Sequence, residues 1–164
     1  MRLAWTPREN QLVWSALARG VRAPARLDRD VFIPGTAPFA VGGGPDFPSE
    51  IAEVVELGYR VQPTSALSYS ITAFHHRYDR LRSLELAPPD GEAVTIVGNG
   101  IEGDVAGIEA WGAWQATNGW QLRLGGFLMD QDLDPGPGSA AGRVRHAGPA
   151  AGAGGCRGFC LLCG

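Results

Sequence analysis

The chain has 164 residues, of which 45% are hydrophobic, 9% aromatic and 19% charged, with a formal net charge of −3. That composition excludes a disordered chain, and the lack of a basic field excludes a surface built to hold nucleic acid. No run of about eighteen apolar residues occurs, so the sequence offers no membrane-crossing helix.

The first residues, Met1-Arg2-Leu3-Ala4-Trp5-Thr6-Pro7, meet a proline before any apolar h-region develops, so the sequence is expected to lack a signal peptide. A stubby strand is predicted at 2–6. After the polar turn Pro7-Arg8-Glu9-Asn10, a second strand is predicted over 11–22, with Leu12, Trp14, Ala16 and Ala18 grouped as its apolar face.

A long stretch rich in Gly, Pro and Asp, 23–50, is expected to be a loop. Its Gly42-Gly43-Gly44 lacks the Lys-Ser/Thr and the strand–helix context of a phosphate loop, so a flexible loop is the expectation. Asp28, Asp30 and Asp46 in this stretch, and Asp79 further on, are candidates for facing a ligand, with solvated side chains as the plainer expectation.

Period-two alternation then becomes clear. Val55, Leu57, Tyr59 and Val61 oppose Glu56, Arg60 and Gln62, and after the turn Pro63-Thr64-Ser65 the run Leu67–Ala73 carries hydroxyls at every even position. His75 and His76 are neighbours in a strand, so their rings are expected on opposite faces and cannot share a metal; His146 supplies no third ligand at a usable spacing. A second loop is expected over 79–103. Two more strands follow, about 104–115 (Ile108, Ala110 and Trp114 on one face) and 120–128 (Trp120, Leu122, Leu124 and Leu128 on one face). Thr117-Asn118-Gly119 joins them, and Asn-Gly tolerates the positive φ of a tight hairpin turn.

Turns and loops thus alternate, short then long. That pattern, with aromatics (Trp5, Tyr59, Trp114, Trp120) beside the short turns and charges (Glu56, Arg60, Glu109, Arg123) on the opposite faces, suits a transmembrane β-barrel. A soluble sandwich would have to bury those charges.

After Leu133 the composition breaks into Gly, Ala, Pro and Arg, and the alternation stops. All fourteen basic residues of the chain are Arg, a bias of GC-rich coding, so residues 134–164 are read as a low-complexity, disordered tail of frame-shifted character. Cys156, Cys160 and Cys163 have the C-x₃-C-x₂-C spacing of some iron–sulfur enzymes. They lack the β/α units that such motifs sit in, and a Gly/Ala tail offers no supporting shell, so no metal site is predicted.

Several segments resemble the barrel of TonB-dependent receptors, the plugged outer-membrane transporters. They are Arg22–Asp30, Ser49-Glu50 followed by Glu56-Leu57-Gly58-Tyr59-Arg60, Thr72-Ala73-Phe74 with Arg77-Tyr78-Asp79-Arg80-Leu81, and Gly107-Ile108-Glu109 with Trp114-Gln115-Ala116-Thr117. The resemblance covers about 2–133. It implies an all-β fold: an antiparallel meander of about six strands from a larger transmembrane β-barrel, with 1–133 as a partial barrel and 134–164 as the tail. Gly58 and Gly107 would allow bends or close approach. Glu56, Arg60, Glu109 and Arg123 would point into the lumen, to pair with one another or with a plug.

The function so implied is energy-coupled uptake of a siderophore, cobalamin or similar nutrient across the outer membrane of a Gram-negative bacterium. The parent protein's partners would be that ligand, the TonB energy-transducing protein and outer-membrane lipid. No catalytic residue, cofactor or metal site is implied, and the substrate-binding residues cannot be read from the sequence. The expected strands are too few to close a barrel of about 22 strands, so the chain is not expected to transport alone. The alternative is a small soluble β-sandwich or β-barrel binding protein.

Overall fold

The computed structural model describes residues 1–87, 93–117 and 119–136, and the backbone of 144–146 and 158–163. Asn118 lies outside them. Six long strands form the meander: β1 (Arg2–Arg8), β2 (Gln11–Arg22), then β5 (Glu50–Thr64), β6 (Leu67–Leu86), β7 (Ala93–Thr117) and β8 (Trp120–Pro135). Short elements lie between β2 and β5, namely α1 (Arg26–Arg29), β3 (Phe32–Ile33) and β4 (Phe39–Gly42). The strands all pair into one sheet, β1-β2-β5-β6-β7, with β8 along one part of the far edge of β7 and β4-β3 along the rest. Every pairing is antiparallel except that of β4 with β7.

The turns are as tight as the polar breaks in the sequence suggest. Arg8 pairs with Gln11, Thr64 with Leu67, and Thr117 with Trp120, leaving two residues for each connection. In a meander these three turns fall at one end of the sheet, and the long connections fall at the other.

The second long connection is not the loop expected at 79–103. β6 continues to Leu86 and β7 begins at Ala93, so most of that stretch is a paired hairpin. Two register shifts interrupt it, between Tyr78 and Leu81 and between Leu81 and Ser83, and Arg80 takes a left-handed φ of 59° at the first. An extra residue in one strand breaks the period of two, which is why the sequence looks irregular where the backbone ladder persists. A transmembrane strand needs only about 9–11 residues. The 20 residues of β6 and 25 of β7 are about twice that length.

β8 likewise runs two residues past Leu133, to Pro135. Two stretches of the tail are strands as well: β9 (Val144–His146) and β10 (Gly158–Cys163). They register with 131–133 and 122–127 of β8, both antiparallel, so they follow one another in chain order down its free edge. Backbone pairing does not require side-chain alternation, and so the sequence of the tail gave no sign of it.

Register fixes the faces. Ser15, Leu57, Ala73, Ile108 and Leu128 form one cross-strand row; Val13, Tyr59, Ile71, Ala110 and Gly126 form the next. Leu57, Ile71, Ile108, Leu124 and Leu128 on this side are between 45% and 58% exposed, with no second sheet over them among the described residues. The band then gives way to charge. Two residues along each strand from the Leu57 row the same face carries Leu17, Val55, His75, Ala106 and Asp130, and two further on Arg19, Glu53, Arg77, Asp104 and Asp132 align as one charged row.

The apolar group of β2 lies on the opposite side. Leu12 registers with Arg60 and Ala16 with Glu56, so Leu12, Trp14, Ala16 and Ala18 share the polar face. Hydrophobicity alone could not assign them, because the inner wall of a partly filled barrel is mixed.

Candidate functional site

The inner wall is built from the residues that alternate with the apolar band. One row runs Leu12, Arg60, Ser70, Trp111 and Gly125; its neighbour runs Trp14, Gly58, Thr72, Glu109 and Phe127. The Arg60 guanidinium lies over the Trp111 ring, 5.4 Å from its centroid, where the electron-rich face attracts a cation. Arg123 donates from Nε to Gln121 Oε1 at 3.0 Å. Glu56, Arg60, Glu109 and Arg123 do share this side, as the alternation predicts. Among the described residues no salt bridge joins them to one another.

Along β6 the inner face is an aromatic ladder that the sequence reading did not single out. Phe74, His76 and Tyr78 follow at every second position, with ring centroids 5.0 Å and 6.2 Å apart. The Tyr78 hydroxyl lies 3.4 Å from His76 Nδ1. The Phe74 ring fills the space where Gly107 lacks a Cβ, one strand over. His75, on the other face, sits 3.3 Å from Asp104, so the two histidines diverge as the strand geometry requires. Backbone alone is described for His146, Cys160 and Cys163, while Cys156 lies outside the described residues.

The mouth holds a charge cluster. Arg22 at the end of β2 donates to Glu50 Oε2 at 2.6 Å and to Asp28 Oδ2 at 2.9 Å. Asp28 Oδ2 also accepts the Ala25 backbone N–H at 2.8 Å, and its Oδ1 lies 3.4 Å from Arg82 Nη1. The hydrogen bond to Glu50, then the charge on Glu50, hold the Arg22 guanidinium above the ordinary arginine range, against a smaller desolvation effect.

Asp28 is not the solvated loop residue expected of it; it is fully buried, because the returning chain covers it and two arginines neutralise it. Asp30 and Asp46 are exposed, Asp30 within 3.5 Å of Arg26, and Asp79 pairs with Arg80 at 3.1 Å. Nor is Gly42-Gly43-Gly44 a flexible loop. All three are buried, and a Cβ would collide with the Arg29 carbonyl at Gly43 and with the Val97 carbonyl at Gly44.

The sheet with one apolar and one mixed face matches a known family along most of its length. Residues 2–146 match the model of the TonB dependent receptor-like β-barrel. This chain belongs to the TonB-dependent receptor family. That family is one of outer-membrane transporters, not enzymes.

Solved structures agree on the fold. The FrpB iron transporter of Neisseria meningitidis superposes with a TM-score of 0.60 at 14% identity, over 80% of this chain and 19% of its own. The ferric enterobactin receptor PfeA of Pseudomonas aeruginosa, in complex with enterobactin, gives 0.62 at 16% identity, over 81% of this chain and 25% of its own. The copper transporter OprC gives 0.57 at 13% identity, over 82% and 20%. The chain therefore spans a quarter or less of the TonB-dependent receptors it superposes on. No curated protein matches it in sequence.

Proposed function

We propose that these strands are part of the wall of an outer-membrane receptor for energy-coupled uptake of a large nutrient, a siderophore, cobalamin or a similar chelate. The observation that carries this reading is the division of one sheet into an apolar band and a mixed face, with the band cut off by the row Arg19, Glu53, Arg77, Asp104 and Asp132. A lipid-facing surface needs such a band, about 25 Å tall with aromatic girdles, and the lumen face does not. Trp5, Trp114 and Trp120, at 50–63% exposure beside the tight turns, suit the girdle.

In this reading the inner wall meets the plug and the passing ligand, through Arg60, Trp111 and the ladder Phe74, His76 and Tyr78. The energy-transducing TonB protein acts on the plug, and the wall supplies a fixed surface. These strands do not transport by themselves; residues 1–133 serve as partial barrel and 134–164 as an appended tail.

The test uses single-tryptophan variants of the chain inserted into bilayers whose acyl chains carry bromine. Trp5, Trp114 and Trp120 should be quenched strongly, whereas Trp14 and Trp111 should be quenched weakly. Equal quenching of all five would remove the assignment of faces, and the transport reading with it.

A further inference from the structure

We infer that residues 23–49 form a clamped strap, pinned by Asp28, rather than a loop that swings to admit or close on a ligand. The inference concerns the packing of this chain and stands whether or not the transport reading does.

Three observations converge on it. The first is that Asp28 ties three partners together. Its side chain, at 0% exposure, holds Arg22 of β2 and Arg82 of β6, while its backbone carbonyl accepts the Gly44 N–H at 3.0 Å. One residue therefore joins the outgoing limb, the returning limb and two wall strands. The second is an apolar anchor at the far end of the strap. Phe47 is 2% exposed and Val97 of β7 is 1% exposed, in a chain with few buried side chains. Gly44 packs against the Val97 carbonyl with no room for a Cβ.

The third is a set of hydrogen bonds, two within the strap and two to it from the wall. Arg29 Nη2 donates to the Phe47 carbonyl at 3.1 Å, and the Phe47 N–H donates to the Gly44 carbonyl at 3.0 Å. Thr95 Oγ1 donates to the Ala40 carbonyl at 2.8 Å, and Asn99 Nδ2 to the Pro48 carbonyl at 3.4 Å. β4 meanwhile adds to the edge of β7 in parallel, at Phe39–Ala93, Val41–Thr95 and Gly42–Ile96.

The physical logic is cooperative. A swinging loop keeps its polar groups in water in both positions, so that either costs little. Here one carboxylate is dehydrated, and it tolerates that only while both arginines and the Ala25 N–H stay in place. Loosening either limb therefore releases the whole strap. Glu50 adds a second tie, since its Oε1 accepts the Arg82 backbone N–H at 2.7 Å while its Oε2 holds Arg22.

Hydrogen exchange on the full chain in detergent micelles tests this through the amides of Gly44 and Phe47. In the unsubstituted chain both should exchange far more slowly than a free peptide. Asp28→Asn keeps the shape and removes the charge, and it should speed both by about tenfold or more, as breaking a partly exposed ion cluster does. The amides of Leu57, Tyr59, Ile71 and Ala73 should not change. Arg82→Gln should act in the same direction and more weakly, because Arg22 still pairs with Asp28. Free-peptide exchange at Gly44 and Phe47 in the unsubstituted chain would overturn the clamp. So would an Asp28→Asn variant that leaves them unchanged, or one that also strips the lower strands, which would make the cluster a support of the whole sheet.

Discussion

The indole of Trp14 occupies the space that a Cβ at Gly58 would need, one strand over on the inner wall. Neither residue explains the other in sequence, 44 positions apart, yet the register of β2 on β5 sets them face to face. Glycine is required here for close approach, because the ring has nowhere to withdraw without leaving the wall.

Gly58→Ala should therefore displace Trp14 and cost about 1–3 kcal/mol, the range for forcing an added methyl into a filled site. The measurement is urea unfolding in detergent together with the tryptophan near-ultraviolet signal. Gly20→Ala is the control, since its nearest neighbours are Ala52 atoms at 3.9 and 4.0 Å. If both variants behave alike, the contact between ring and glycine is not what holds this region.

Much of the fold was legible because two signals agree. In β5, β6, β7 and β8 the alternation of apolar and polar residues near the turns matches the turn chemistry at Ser65 and Gly119, and there the register follows. Legibility fails where one signal is lost. The hairpin beyond Asp79 keeps its backbone ladder, but bulges at Arg80 and near Gly98 throw the side chains out of phase. Trp14 looked like part of an outward apolar face because an inner wall also carries aromatics. Asp28 looked solvated because a lone carboxylate in a Gly/Pro-rich stretch usually is, and its two arginines come from strands at positions 22 and 82. The ladder Phe74, His76 and Tyr78 had a readable sign, three aromatic rings at every second position.

The two faces should respond oppositely to charge. Leu57 lies within the apolar band, 58% exposed, and Leu57→Arg should cost about 2–4 kcal/mol in a bilayer, the range for arginine on the lipid face near the midplane. Thr72 lies on the inner wall beside Gly58 and Glu109, where an added cation has a carboxylate within reach. Thr72→Arg should cost much less. Unfolding in lipid vesicles measures both, and the reverse order would exchange the faces.

The chain should not behave as a soluble monomer in plain buffer. Leu57, Ile108, Leu124 and Leu128 stand 47–58% exposed on neighbouring strands, and among the described residues no second sheet covers them. Ile108, Leu124 and Leu128, together with Tyr69, Ile71 and Ala110, frame an open apolar groove of about 570 Å³ on β6, β7 and β8. An apolar patch beyond a few hundred Å² on a soluble monomer is uncommon and drives association. The edge adds to this. Among the described residues β1 pairs with β2 alone, so the other side of Arg2–Arg8 presents unpaired N–H and C=O groups to any strand that meets it. Closure into a barrel removes such edges, and lipid covers such a band; water does neither. Refolding the purified chain without detergent should give particles many times the mass of one 17.3 kDa chain by light scattering, and detergent should reduce them. A monodisperse species of 17.3 kDa that unfolds cooperatively in plain buffer would mean that the outward leucines had found a core of their own, and the lipid-facing assignment would fall.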